Sequence, residues 1–190
     1  MGKIVITSNV SLDGVVQDPD GQEGFDRGGW FTTYGGKDLA AWAELETAEA
    51  RQADAVLIGR ASDEWFATRW NDRVGEWAER LNGLPKYVVS STPGAARWTN
   101  GTVLNGDIVE EIRRLKKDTD GEILVYASYR LVRTLIEQGL ADELRVVVFP
   151  VVVGAGKRLF GDTAGALGMR LMETRKLGEN LTFASYAIGD

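Results

Sequence analysis

Ala53-Asp54-Ala55-Val56-Leu57-Ile58-Gly59-Arg60-Ala61-Ser62 is the stretch whose reading decides the fold. An apolar run from Ala55 to Ile58 leads straight into a glycine, and a serine follows where a helix should begin. Such a run reads as a buried strand, delivering backbone N–H groups and a hydroxyl to a helix N-terminus, where an anion is welcome. The design recurs in Tyr87-Val88-Val89-Ser90-Ser91-Thr92 and in Ile123-Leu124-Val125-Tyr126-Ala127-Ser128. Three strand exits carrying hydroxyls are expected at the C-terminal edge of one sheet, where open α/β folds bind nucleotides.

Working outward, the pattern alternates strand and helix for most of the chain. Lys3 to Ser8 reads as a strand, followed by a glycine-rich acidic loop from Asp13 to Gly36. Its aromatic residues Phe25, Trp30, Phe31 and Tyr34 imply that this loop packs against something. Asp38 to Gln52 reads as a helix capped by Asp38, with Leu39, Trp42, Leu45 and Ala48 at helical spacing. Ser62 to Leu81 is helical with a break near Asn71-Asp72, and Lys86 to Ser90 is the next strand. Thr102 to Leu104 is a short strand, and Asp107 opens a helix reaching Lys117. The strand Glu122 to Ala127 precedes a helix from Tyr129 to Gln138, which Gly139 ends. Leu144 to Phe149 is a strand that Pro150 should end or place at a sheet edge, and Met169–Thr174 with Leu181–Ile188 form a closing hairpin. The expectation is one α/β domain spanning residues 1–190, with a mostly parallel central sheet flanked by helices and antiparallel strands at its C-terminal end.

Composition removes several chemistries. The chain has no cysteine and no histidine, which excludes disulfides, thiolate nucleophiles, catalytic triads containing histidine and histidine-bound metals. No metal site is expected, and Asp18-Pro19-Asp20-Gly21 reads as a turn. A formal charge of −6 offers no basic field for nucleic acid or an anionic membrane. No segment approaches a membrane span, and a cytoplasmic location is expected. Gly154-Ala155-Gly156-Lys157 is neither a P-loop nor a dinucleotide fingerprint, and reads as a tight turn.

Without imidazole, acid–base work falls to carboxylates. Asp13 stands between the first strand and the long loop, where burial could raise its pKa far enough to deliver a proton. The other reading is that Asp13 caps the turn made by Gly14.

Over nearly its whole length the chain resembles the dihydrofolate reductase-like fold, in the branch of the bacterial riboflavin-biosynthesis reductase domain. The segments that carry the resemblance begin with Ser11-Leu12-Asp13-Gly14-Val15, Asp54-Ala55-Val56-Leu57-Ile58-Gly59-Arg60 and Leu84-Pro85-Lys86-Tyr87-Val88-Val89-Ser90. Gly139-Leu140-Ala141-Asp142-Glu143-Leu144 and the run from Pro150 to Phe160 continue it. The resemblance implies that Gly59, Arg60 and Ser62 approach the phosphates of NADPH, and that Ser90, Ser91 and Thr92 approach its adenosine 2′-phosphate. Where the family commonly has a Gly-Gly turn beside the pyrophosphate, this chain has Ala127-Ser128-Tyr129, with Arg130 able to pair with phosphate.

The function implied is an NADPH-dependent reductase of a small heterocycle or sugar imine, similar to 5-amino-6-(5-phosphoribosylamino)uracil reductase. The cofactor would carry the hydride while the protein aligns and protonates. Asp13 is then the expected catalytic residue, Trp30 and Tyr34 meet the small-molecule substrate, and the chain is expected to form a homodimer. The alternative is a ligand-binding or regulatory protein that kept the fold without hydride transfer.

Overall fold

A computed structural model of the chain describes residues 1–92, 94–163 and 165–189. In chain order the elements begin with β1 (Lys3–Ser11), α1 (Trp30–Gly35), α2 (Leu39–Gln52), β2 (Ala53–Gly59), α3 (Arg60–Trp70), α4 (Glu76–Gly83) and β3 (Lys86–Val89). They continue with β4 (Gly101–Leu104), α5 (Ile108–Asp118), β5 (Glu122–Tyr126), α6 (Tyr129–Glu137), β6 (Glu143–Phe149), β7 (Met169–Leu177) and β8 (Leu181–Ile188). Among the described residues the strands hydrogen-bond in the order β4-β3-β2-β5-β1-β6-β8-β7. The β2–β3, β2–β5 and β3–β4 pairs are parallel, and β6–β8 and β7–β8 are antiparallel, as the alternation of the sequence predicts. The fold is that of an α/β protein with an antiparallel C-terminal end.

The chain falls into two compact units, Met1–Ile6 with Glu46–Asp142, and Thr7–Leu45 with Glu143–Asp190. In the first, the strands are apolar on both faces because helices cover a parallel sheet, and Val56, Ile58, Val88 and Leu124 are inaccessible to solvent. Trp98 stacks on Phe66 at 4.6 Å between ring centroids, and Trp70 meets Trp77 edge-on, so the tryptophans of the broken helix build core. The break predicted near Asn71-Asp72 is observed between Trp70 and Glu76. Asp107 caps α5 by accepting from the N–H groups of Val109 and Glu110. Gly139, at φ +61°, follows α6 in the left-handed conformation that ends helices.

The second unit holds the departures. The stretch expected as loop contains α1, a single short helix without a side-chain cap. It is held by packing: Trp30 lies edge-on to Phe149 at 5.4 Å, and Phe31 lies 5.1 Å from the same ring. Tertiary contact, rather than propensity, makes this helix. Asp38 does not cap α2. Its carboxylate reaches the β7–β8 turn and accepts from the N–H groups of Glu179 and Asn180 at 2.9 and 2.8 Å. Asp18 folds the glycine-rich loop around itself, accepting from Glu23 and Phe25 N–H while almost wholly buried.

Candidate functional site

The first unit gathers the strand exits. β3, β2 and β5 are parallel neighbours, so Val89-Ser90, Gly59-Arg60 and Tyr126-Ala127-Ser128 leave the sheet at the same edge. Ser128 Oγ accepts from Gly59 N–H at 3.0 Å and donates to Ser62 Oγ at 2.8 Å, joining the starts of α3 and α6. Arg60 turns toward the β3 exit, where its Nε donates to Ser90 Oγ at 3.1 Å and its Nη1 to Ala95 C=O at 2.8 Å. Its Nη2 donates to Thr92 C=O at 3.4 Å, while Thr92 N–H donates to Ser90 Oγ. Arg60 therefore fixes the shape of the Ser90–Thr92 turn. Ser91 is exposed on that turn, and Arg130 is exposed at the start of α6 with its guanidinium 5.9 Å from the Tyr129 ring.

The turn that departs from the glycine pattern keeps a glycine's conformation. Ala127 and Ser128 have φ of +48° and +56°, a left-handed pair that L-residues adopt at a cost of about 1–2 kcal/mol each. The Ser128 hydroxyl bonds tie this left-handed turn to Gly59 and Ser62.

The second unit contains the other expected site residues. Asp13 accepts from Ser11 Oγ at 2.6 Å, Val153 N–H at 3.0 Å and Gly154 N–H at 2.9 Å, with an Arg158 guanidinium nitrogen 3.5 Å away. The Ser11 hydrogen bond, with help from the Gly154 and Val153 N–H groups, outweighs burial and lowers its pKa from 3.8 to about 2. The raised pKa expected of a proton donor is absent, and Asp13 is a carboxylate at neutral pH. Nor does it cap the Gly14 turn: Gly14 N–H donates to Ser11 C=O and Val15 N–H to Ser11 Oγ.

Trp30 and Tyr34 share the wall of a cavity of about 320 Å³ with Arg27, Thr33, Val152 and Val153. Trp30 is fixed by its indole N–H, which donates to Gln17 C=O at 3.0 Å. Arg27 was not visible as a site residue in the sequence. No local signal marks it, because Val153 and Gly154, which it meets in the fold, lie more than a hundred positions away, and a Cβ at Gly154 would come within 2.9 Å of Arg27 Nη1. Among the described residues, no three acidic side chains come together as a metal would require. No helix there is long and apolar enough to cross a membrane.

The model of the RibD C-terminal domain family matches residues 2–183. This chain belongs to that family. It is 28% identical over 192 residues to the Bacillus subtilis (strain 168) protein YyaP, itself uncharacterized, covering 97% of this chain and 94% of that one. A candidate riboflavin biosynthesis protein from Shewanella sp. PV-4 superposes with a TM-score of 0.74 at 19% identity, with 99% of each chain covered. Dihydrofolate reductase from Enterococcus faecalis, solved with NADP(H), superposes with a TM-score of 0.57 at 15% identity, covering 99% of this chain and 97% of that one. These two likenesses concern the fold, which is reductase-like throughout.

Proposed function

We propose that this RibD C-terminal domain protein is an NADPH-dependent reductase of a small heterocyclic or sugar-imine substrate. The observation that carries the reading is the joined set of strand exits, with Gly59, Ser62 and Ser128 in contact and Arg60 braced on Ser90 and Thr92. These residues fit a dinucleotide's phosphates: hydroxyls and helix N-termini face one sheet edge, and the Ala127-Ser128 backbone already holds the left-handed turn. Arg60 and the Ser90–Thr92 turn would hold the 2′-phosphate, and Ser62, Ser128 and Arg130 the pyrophosphate. NADPH supplies the hydride when bound. The protein's part is to bind the nucleotide, to fix Trp30 and Tyr34 for the substrate ring, and to keep the Asp13 carboxylate ionised as an anchor.

Titration with NADPH and NADH tests the assignment. NADPH is expected to bind more tightly by about 1.5–3 kcal/mol, a preference that Arg60→Ala removes. Equal affinities for the two cofactors would overturn it. Tight binding without turnover of any imine would instead support a binding protein. We further propose a homodimer, supported by the exposure of Leu167, Leu171 and Met172 at 45%, 52% and 42% in the second unit. Sedimentation that finds only the 20.8 kDa chain at micromolar concentration counts against it.

A further inference from the structure

Three asparagines of the first unit stand directly before a glycine: Asn82-Gly83, Asn100-Gly101 and Asn105-Gly106. Such a pair is chemically labile, because glycine has no Cβ to hinder the approach of its nitrogen to the asparagine side-chain carbon. Whether the pair reacts depends on what holds the amide and the peptide, and the fold treats the three differently.

Asn82 lies in α4, where helical geometry turns backbone N–H groups toward carbonyls four residues earlier. Both of its polar side-chain atoms are engaged: Nδ2 donates to Trp70 C=O at 2.7 Å, and Oδ1 accepts from the Trp98 indole N–H at 2.7 Å. Asn100 is exposed, but its Nδ2 donates to Asn82 C=O at 3.0 Å and to Gly83 C=O at 3.3 Å. Its backbone is pinned as well, since its C=O accepts from Lys86 N–H at 3.0 Å and Gly101 enters β4 packed against Ala96. Asn105 has neither restraint. It is exposed past the end of β4, and its Nδ2 makes one long contact, 3.5 Å to Val103 C=O. Gly106, at φ +112°, has open space where a Cβ would stand, and its N–H has no hydrogen-bond partner among the described residues. The parallel register pairs Val89 with Leu104, so Asn105 leaves the sheet beside Ser90.

We propose that Asn105 is a self-modification site, whose side-chain amide closes on the Gly106 nitrogen and opens to a carboxylate beside the Ser90–Thr92 turn. The Gly106 nitrogen forms a bond to Asn105 Cγ, the bond from Cγ to Nδ2 breaks, and the peptide proton leaves with Nδ2 as ammonia. Water then opens the cyclic imide at either carbonyl, leaving aspartate or isoaspartate, with no oxidation or reduction. A neutral side chain thereby becomes an anion, which repels a phosphate at that turn and spares a ligand that lacks one. The modification itself requires no ligand; only its effect on nucleotide rests on the reductase reading.

The intact protein is incubated for weeks at physiological temperature and pH, digested, and mapped by mass spectrometry for the mass difference between amide and acid. Conversion at Asn105 is expected to outpace that at Asn82 and Asn100 by about tenfold or more, since each of those must first break hydrogen bonds. In guanidinium-unfolded protein the three convert at similar rates. Asn105→Gln abolishes conversion there, because the longer side chain closes a ring far less readily. Asn105→Asp, which carries the charge from the start, binds NADPH about threefold to tenfold more weakly than the parent and NADH equally well, while Asn105→Gln matches the parent. An Asn105 that outlasts Asn82 or Asn100, or an order that persists in the unfolded chain, overturns the site. Equal losses for NADPH and NADH, or no loss, overturn its effect. NADPH that binds neither parent nor variant, while Asn105 converts first, removes the reductase reading with the effect built on it and leaves the site standing.

Discussion

Asp13 in the second unit and Lys86 in the first both titrate below their usual range, and the two shifts mean opposite things. Asp13 moves from 3.8 to about 2 because a hydroxyl and two N–H groups favour its charged form. Lys86 moves from 10.5 to about 8 because burial disfavours its charged form, although its Nζ donates to Asn82 and Leu84 C=O and lies 4.7 Å from the Trp98 ring centroid. Two carbonyls and an aromatic face do not replace the water that an ammonium loses, whereas Ser11 and the Val153 and Gly154 N–H groups more than replace it for Asp13. A charge held away from water, wholly at Lys86 or in part at Asp13, is an anchor only where its partners complement it. Lys86 satisfies the end of α4 at a net electrostatic cost, and Asp13 fastens two distant segments at a gain.

The largest expected effect is at Asp13. Asp13→Asn puts an amide N–H against backbone donors and should destabilise the protein by about 2–4 kcal/mol, read from denaturant unfolding at pH 7. The sign follows from the lowered pKa. The contribution of Asp13 is complete above 3.8, the unfolded value, and is lost as pH falls through about 2. The gap between parent and variant should therefore close between those pH values. A gap that persists below them means that packing, and not the ionised carboxylate, supplies the stability.

Lys86 should shift stability in the same direction with pH, but because its charged form is disfavoured rather than favoured, and somewhat more weakly. Between about 8 and 10.5 the unfolded chain binds the proton that folded Lys86 has released, so the free energy of unfolding rises with pH in that window. A rise of roughly 1–3 kcal/mol is expected, and Lys86→Met should flatten it. Other groups titrate there too, so the measured quantity is the difference between parent and variant. Stability that falls more steeply for the parent than for Lys86→Met would show that the ammonium is an anchor after all.

The same contrast explains what could be read in the sequence. The exits at Gly59, Ser90 and Ser128 were legible because each lies at the end of an apolar run, and parallel pairing then brings those ends to one edge. Ser11 lies only two positions from Asp13, but the two backbone donors lie 140 and 141 positions away, and no local pattern connects them. Its position was legible as special, but the direction of its pKa depended on the side-chain orientation of Ser11 and on the distant Val153 and Gly154 donors, which only the fold supplies. Trp30 and Tyr34 were legible as aromatics that must pack, whereas Arg27 resembled any loop arginine until Gly154 and Val153 were placed against it. Asp38 was misread for the same reason, since a residue with the right chemistry for a helix cap found better donors in the distant β7–β8 turn.

The smallest expected effect carries the comparison to an uncharged anchor. Ser128 Oγ satisfies Gly59 N–H and Ser62 Oγ without any charge, so its contribution should be modest and independent of pH. Ser128→Ala leaves Gly59 N–H without its acceptor and should cost about 1 kcal/mol. One position earlier the sign reverses. Ala127 bears a Cβ at φ +48° and makes no side-chain hydrogen bond, so Ala127→Gly removes the left-handed penalty. The greater freedom of glycine in the unfolded chain offsets part of that gain, leaving a stabilisation below about 1 kcal/mol. Paired unfolding curves at two pH values decide the matter. Opposite signs at the two positions, unchanged by pH, would establish that the hydroxyl bonds hold a strained turn. A loss at both positions would show instead that the Ala127 methyl contributes packing that exceeds the strain of its backbone.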